Sequence, residues 1–125
     1  MNTNTIYSIA AAAAFVIVFI SGFRLRISGK PYKSMIFNLH KLLAVAALLL
    51  LILIVRNINV SVNLNSVELV VCSISGLIFL ITIITGGMMS IYKTAPPVVV
   101  MMHKTFPYLT VLSSAAAVIF FSLGR

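Results

Sequence analysis

The stretch MIFNLHKLLAVAALLLLILIV, residues 35–55, decides the fold class of this chain. It is apolar apart from Asn38, His40 and Lys41, which all lie near its start. A helix needs about 20 such residues to cross the hydrocarbon core of a bilayer. The stretch therefore predicts a transmembrane helix whose polar residues lie near one membrane surface.

Three further apolar segments flank this stretch, at about residues 6–23, 67–91 and 98–123. The connections between them are short and polar, and Pro96 and Pro97 separate the last two segments. Short connections make neighbouring helices antiparallel. The sequence predicts an all-α integral membrane protein, an antiparallel four-helix bundle that forms a single transmembrane domain over residues 1–125.

Composition supports a membrane protein and excludes other classes. Hydrophobic residues make up 62% of the chain and charged residues 8%, which is far from the composition of soluble domains. The net charge of +8 forms no continuous basic stripe, so we expect no nucleic-acid partner. The single cysteine, Cys72, excludes an intrachain disulfide and a cysteine-based metal site. Membrane lipid is the expected environment.

The basic residues predict the orientation, because cytoplasmic flanks carry most Lys and Arg. Most of them surround the first and third loops, and the opposite side has only Arg56 and Arg125. We therefore expect both termini on the non-cytoplasmic side of a bacterial or archaeal cytoplasmic membrane. The residues that surround the loops expected on the cytoplasmic side are Arg24, Arg26, Lys30, Lys33, Lys41, Lys93 and Lys104.

The sole acidic residue, Glu68, lies three positions after Asn65 at the start of the third apolar segment. This spacing is typical of a capping box. A proton-transfer role is the alternative, although coupling acids are expected nearer the membrane midplane. The spacing favours the cap.

A short pattern occurs in both halves of the chain. FISGF precedes NLHK in the first half, and IITGGMM precedes MMHK in the second. His40 lies 18 positions after Gly22, and His103 lies 17 positions after Gly86. Because both halves cross the membrane in the same direction, the pattern indicates a parallel repeat.

His40 and His103 are the only histidines, and each lies roughly 7–8 Å inside its predicted helix, at the same depth. An imidazole within a transmembrane segment needs a partner or a cofactor. Two of them at one depth suit bis-histidine ligation of one haem b iron. Two alternatives stay open: each histidine could bond a neighbouring backbone or side chain, or the pair could bind another metal.

Small residues near the histidines are candidate cofactor-binding residues. Gly22, Gly86 and Gly87 lack a side chain, which would let a flat macrocycle approach the backbone. Ala44 leaves volume one turn after His40. These positions predict space for a cofactor at the cytoplasmic end of the helices.

Three more candidate cofactor-binding residues lie close to a histidine in the sequence. Pro107, one turn after His103, removes a helical hydrogen bond and is expected to kink the helix beside the cofactor. Lys41 and Lys104 each follow a histidine and could pair with haem propionates. The same lysines could simply extend to the membrane surface as topology-determining residues.

With NLHK at 38–41, MMHK at 101–104 and the preceding glycines, the chain resembles small four-helix membrane b-type cytochromes of the cytochrome b561-like kind. The resemblance implies that His40 and His103 are axial ligands and that the protein transfers single electrons. Those cytochromes typically hold two haems with four histidines, whereas this chain has one pair. One haem predicts electron transfer between a cytoplasmic-side redox partner and a quinone or another membrane subunit.

No residue set suggests a catalytic centre, so we expect a non-catalytic electron-transport subunit of a redox complex. A cofactor-free structural anchor or assembly subunit is the alternative, because alanine- and glycine-containing helix faces pack well against other membrane helices. Proton-coupled export is disfavoured, since no Asp, Glu or Arg lies near the predicted midplane.

Overall fold

A computed structural model describes the backbone of residues 3–123, together with the side chains in that range except residues 4 and 118–123. The described chain is all-helical, as the sequence predicts. Its four helices are α1 (Thr3–Ser28), α2 (Ser34–Val62), α3 (Ser66–Ile91) and α4 (Pro97–Leu123). Residues 1–2 and 124–125, including Arg125, lie outside the described residues, so the side of the membrane occupied by each terminus stays a prediction.

The first two helices are longer than the apolar segments that predict them. α1 continues past residue 23 through Arg24 and Arg26, and α2 continues past residue 55 through Arg56 and Asn57. An apolar segment measures the membrane-crossing part, whereas a helix needs only its backbone hydrogen bonds. Arginine is a good helix former, and its side chain can extend to water. The helices therefore shorten the connections to residues 29–33 and 63–65.

The first two connections contain residues whose backbone conformation or hydrogen bonds are typical of helix ends. Gly29 has φ 65° just after α1, and its N–H donates to the carbonyl oxygen of Leu25 at 3.1 Å. Asn63 has φ 58° just after α2. At the start of α3, the Glu68 N–H donates to Asn65 Oδ1 at 2.9 Å, and the Asn65 N–H donates to Glu68 Oε2 at 2.8 Å. The predicted capping box is confirmed.

Two compact units divide the chain between Ser61 and Val62. In the first unit, the buried residues of α1 are separated by three, seven and four positions, which places them on one face of the helix, and Ala47 on α2 is completely buried. Small side chains at these positions let two helix backbones approach closely. The buried residues of α1 are Ala11, Ala14, Ser21 and Leu25.

In the second unit, α3 packs against α4, and this interface is richer in hydroxyl groups. Thr82, Thr85 and Thr110 each donate to a main-chain carbonyl one turn earlier, at 2.9, 2.9 and 3.0 Å. These bonds satisfy groups that would otherwise be costly to bury. The buried residues described in the unit are Leu64 in the 63–65 connection, Glu68, Ser75, Phe79, Thr82 and Thr85 on α3, and Val99, Thr110 and Ala117 on α4.

Three helices are long and apolar enough to cross a membrane over the described residues: Thr5–Ser28, Ser34–Val62 and Ser66–Ile91. Many of their large apolar side chains are exposed on the protein surface, including Val16, Ile52 and Leu77. Such surfaces are typical of helices in lipid. The predicted fourth span extends past residue 117, where side chains lie outside the described part. A single membrane domain over both units stays a prediction.

Candidate histidine sites of the two units

His40 is held against α1 by a hydrogen bond and by a glycine. Its Nδ1 lies 3.0 Å from the carbonyl oxygen of Val18 and 3.1 Å from Oγ of Ser21. Ser21 Oγ itself donates to the Val18 carbonyl at 3.0 Å. The imidazole lies directly on Gly22, where an added Cβ would come within 2.8 Å of His40 Cε1. Only glycine leaves room for the ring at this position.

His103 is held against α3 in the same way. Its Nδ1 lies 2.9 Å from the carbonyl oxygen of Thr82 and 3.4 Å from Oγ1 of Thr85. Thr85 Oγ1 donates to the carbonyl oxygen of Thr82 at 3.0 Å, and to that of Ile81. A Cβ added to Gly86 would come within 2.7 Å of His103 Cε1. The second unit therefore repeats the first at the level of individual atoms.

The equivalent residues have a nearly constant spacing along the chain. Each residue of the α1 site has its counterpart in α3 at 64 positions: Val18 with Thr82, Ser21 with Thr85, and Gly22 with Gly86. The histidines are 63 positions apart, as are the almost completely buried residues Ala47 and Thr110. The contacts thus extend the repeat seen in the sequence to tertiary structure. We call each arrangement of imidazole, glycine, hydroxyl and carbonyl a histidine clamp.

The hydrogen bonds define the tautomer of each imidazole. A main-chain carbonyl oxygen can only accept, so Nδ1 of His40 and Nδ1 of His103 each carry the hydrogen. In the neutral ring, the lone pair then belongs to Nε2. Histidines that bind metals through Nε2 commonly donate Nδ1–H to a carbonyl, which orients the ring and raises its basicity. Both clamps therefore favour the neutral tautomer that carries its hydrogen on Nδ1.

The glycines predicted to accommodate a macrocycle have different surroundings. The group that lies on Gly22 and on Gly86 is an imidazole ring of the same unit. Gly87 differs from both, because an added Cβ there would meet no atom within 4 Å. Among the described residues, Gly87 alone of these three leaves open space beside the backbone.

The other predicted site residues lie one helical turn or less from a histidine. Ala44 is half-buried one turn after His40, and Pro107 is half-buried at the same position after His103. Lys41 and Lys104 are exposed next to their histidines. α4 remains continuous through Pro107, so the proline is accommodated within the helix.

Sequence reasoning missed the acceptors of the clamps. Ser21 and Thr85 are buried hydroxyl residues that directly precede the glycines. The signal was present as Ser-Gly in FISGF and Thr-Gly in IITGGMM. A main-chain carbonyl has no residue-specific signal, so the contributions of Val18 and Thr82 were visible only in the structure.

No group of three or more His, Cys, Asp or Glu side chains that could hold a metal occurs within the part of the chain that the structure describes. Each unit contains one histidine, His40 in the first and His103 in the second. One imidazole in each unit is fewer than the four ligands that a structural zinc site takes. Comparison with protein-family models, curated proteins and solved structures found no match.

Proposed function

We propose that this chain is an integral membrane subunit that binds one haem b through His40 and His103 and transfers single electrons. The observation that carries the proposal is the pair of histidine clamps, in which each Nδ1 donates to a main-chain carbonyl. Electrons would pass between a cytoplasmic-side redox partner and a quinone or another membrane subunit. The subunit would be non-catalytic.

The residues present fit a haem iron. Bis-histidine ligation needs two neutral imidazoles that present Nε2, and the clamps favour that tautomer in both rings. When bound, haem b would supply an iron that changes by one electron between its ferric and ferrous states. The protein's contribution is to orient each ring, because the bond to Val18 or Thr82 restricts its rotation.

Membrane insertion is part of the proposal and rests on hydropathy. Three helices meet the length and composition needed to cross a bilayer. The exposed basic residues Arg24, Arg26, Lys33 and Lys93 favour a cytoplasmic location for the 29–33 and 92–96 connections. Lys41 and Lys104, which follow the histidines, would then stand at the cytoplasmic surface with charges suited to haem propionates.

The primary test is the absorption spectrum of protein purified with adequate haem supply. We expect a Soret band and a low-spin reduced spectrum from the native chain, with loss of the low-spin signature in His40→Gln and in His103→Gln. Glutamine keeps an N–H donor for the clamp carbonyl but has no imidazole nitrogen to bind iron. Its use therefore separates ligand loss from collapse of the fold.

A control variant and a contradicting result complete this test. Cys72→Ser changes a half-buried residue outside both clamps and should leave the spectrum unchanged. Colourless native protein, or a full low-spin spectrum in the double glutamine variant, would refute haem ligation by these histidines.

A cofactor-free structural anchor is the second candidate, and one observation favours it. Each imidazole already fills the notch above a glycine and bonds the neighbouring helix, which is a complete packing role. On this reading the native protein would be colourless and would copurify with other membrane subunits. Loss of that complex in His40→Ala, with retention in His40→Gln, would indicate that the clamp serves assembly.

A further inference from the structure

In the first unit, two lysines flank a stacked pair of aromatic rings, whereas the residues 63 positions after these rings are Ala95 and Val100. Lys30 Nζ lies 5.9 Å from the ring centroid of Tyr32. The Tyr32 ring stacks on Phe37 with centroids 5.4 Å apart and an interplanar angle of 19°. Lys41 Nζ lies 4.2 Å from the Phe37 centroid. We call these four residues the cation–aromatic row.

We infer that the cation–aromatic row is a binding site for the headgroup of an anionic phospholipid. Attraction to a ring face holds an ammonium group in place without supplying a negative charge, so both lysines keep their attraction for an anion. A row ending in two ammonium groups suits a phosphate that approaches along the membrane surface. Such a surface should prefer anionic headgroups to neutral ones at the membrane surface.

The surroundings of the row match a lipid better than a soluble anion. Ile27 and Met35 flank the connection and are 72% and 80% exposed, which offers apolar contact for acyl chains beside the charges. Arg24 and Arg26 are also exposed in the last turns of α1, where a guanidinium can pair with phosphate. The chain's one acidic residue, Glu68, belongs to the second unit, so residues 1–61 contain no Asp or Glu side chain.

The repeat supplies an internal comparison. Val100 occupies the position equivalent to Phe37, 63 residues later, and cannot hold a lysine on a ring face. The second unit retains Lys93 and Lys104 as exposed cations. If net charge alone recruited anionic lipid, both units would do so; if the row is the site, only the first unit would.

The test uses the full chain in nanodiscs of equal phosphatidylglycerol and phosphatidylcholine, with retained lipid measured by mass spectrometry after detergent extraction. We expect enrichment of phosphatidylglycerol on the native chain. Tyr32→Leu and Phe37→Leu remove the rings without changing net charge, and each should lower that enrichment about two- to five-fold. Lys30→Gln, at an exposed position that should tolerate substitution, should lower it as well.

Two arms identify the source of the anion and the role of charge. Extraction in excess inorganic phosphate should leave the retained phosphatidylglycerol in place, whereas displacement would indicate a site for free phosphate and overturn the proposal. Lys93→Gln removes one charge from the second unit and should leave enrichment unchanged. Equal loss in Lys93→Gln and Lys30→Gln, or undiminished enrichment in both leucine variants, would show attraction by net charge alone. Neither arm depends on haem.

Discussion

At the scale of single residues, the glycines are the most informative positions. Gly22 and Gly86 lie under imidazole rings, while Gly87, next in sequence to Gly86, faces open space. The three residues are all helical, so they share the same intrinsic backbone cost. Differences in stability between their alanine variants therefore measure mainly the effect of the imidazole that lies on the glycine.

We expect Gly22→Ala and Gly86→Ala to destabilise the protein by about 1–3 kcal/mol, because a Cβ within 2.8 Å or 2.7 Å of a ring carbon displaces the imidazole. Thermal unfolding in detergent measures this effect. Gly87→Ala is the matched control and should be neutral or stabilising by about 0.5–1 kcal/mol, since it meets no atom and favours the helix. Similar losses in all three variants would contradict the clamp.

The clamp hydroxyls allow a test of ligand tuning that depends on the proposed haem. Ser21→Ala and Thr85→Val remove the hydroxyl group that lies near Nδ1 of the histidine but keep the main-chain carbonyl acceptor. A weaker acceptor lowers the basicity of the imidazole, which destabilises the ferric state relative to the ferrous state. We expect the reduction potential to rise in a spectroscopic redox titration. Thr85→Ser retains the hydroxyl and should restore the native potential.

At the scale of helices, the connection between α2 and α3 ends in a capping box. It occupies residues 63–65, and its capping box joins Asn65 to Glu68 in both directions. Glu68 is only 5% exposed and accepts the Asn65 N–H. These contacts give the chain's sole acidic side chain a structural role at the start of α3.

We expect Asn65→Ala to cost about 1 kcal/mol of stability, because it leaves a helical N–H without its side-chain acceptor. Thermal unfolding of the purified chain is again the measurement. Ser66→Ala, at the neighbouring exposed position, is the control and should change little. If Asn65→Ala unfolded at the native temperature, the cap would contribute nothing to stability.

At the scale of the whole molecule, the proposed insertion and orientation in a membrane can be tested by cysteine labelling. In a Cys72→Ser background, Thr94→Cys and Lys33→Cys should react with a membrane-impermeant maleimide only from the cytoplasmic side, because basic flanks stay inside. Ser61→Cys, exposed near the end of α2, should react only from the opposite side. Labelling of Ser61→Cys and Thr94→Cys from one side would rule out the predicted topology.

Much of the architecture follows from local patterns in the sequence. Hydropathy over about 20 residues locates a helix wherever it lies in the fold, and the Asn65–Glu68 spacing predicts a cap whose contacts span only three positions. The ends of α1 and α2 were less predictable. Arg24 and Arg56 end the apolar segments without ending the helices, since hydropathy and backbone hydrogen bonding are different properties.

Hydropathy and residue spacing are enough to predict four helices, short connections between them and the repetition of Gly and His in both halves. Only the tertiary structure decided what the glycines accommodate. A glycine in the sequence indicates space beside a helix, but it does not indicate whether an imidazole or a macrocycle occupies that space. The Val18 carbonyl reaches His40, 22 positions away, because two helices pack at one rotation and one separation. Helix rotation depends on contacts between segments, which no local pattern contains.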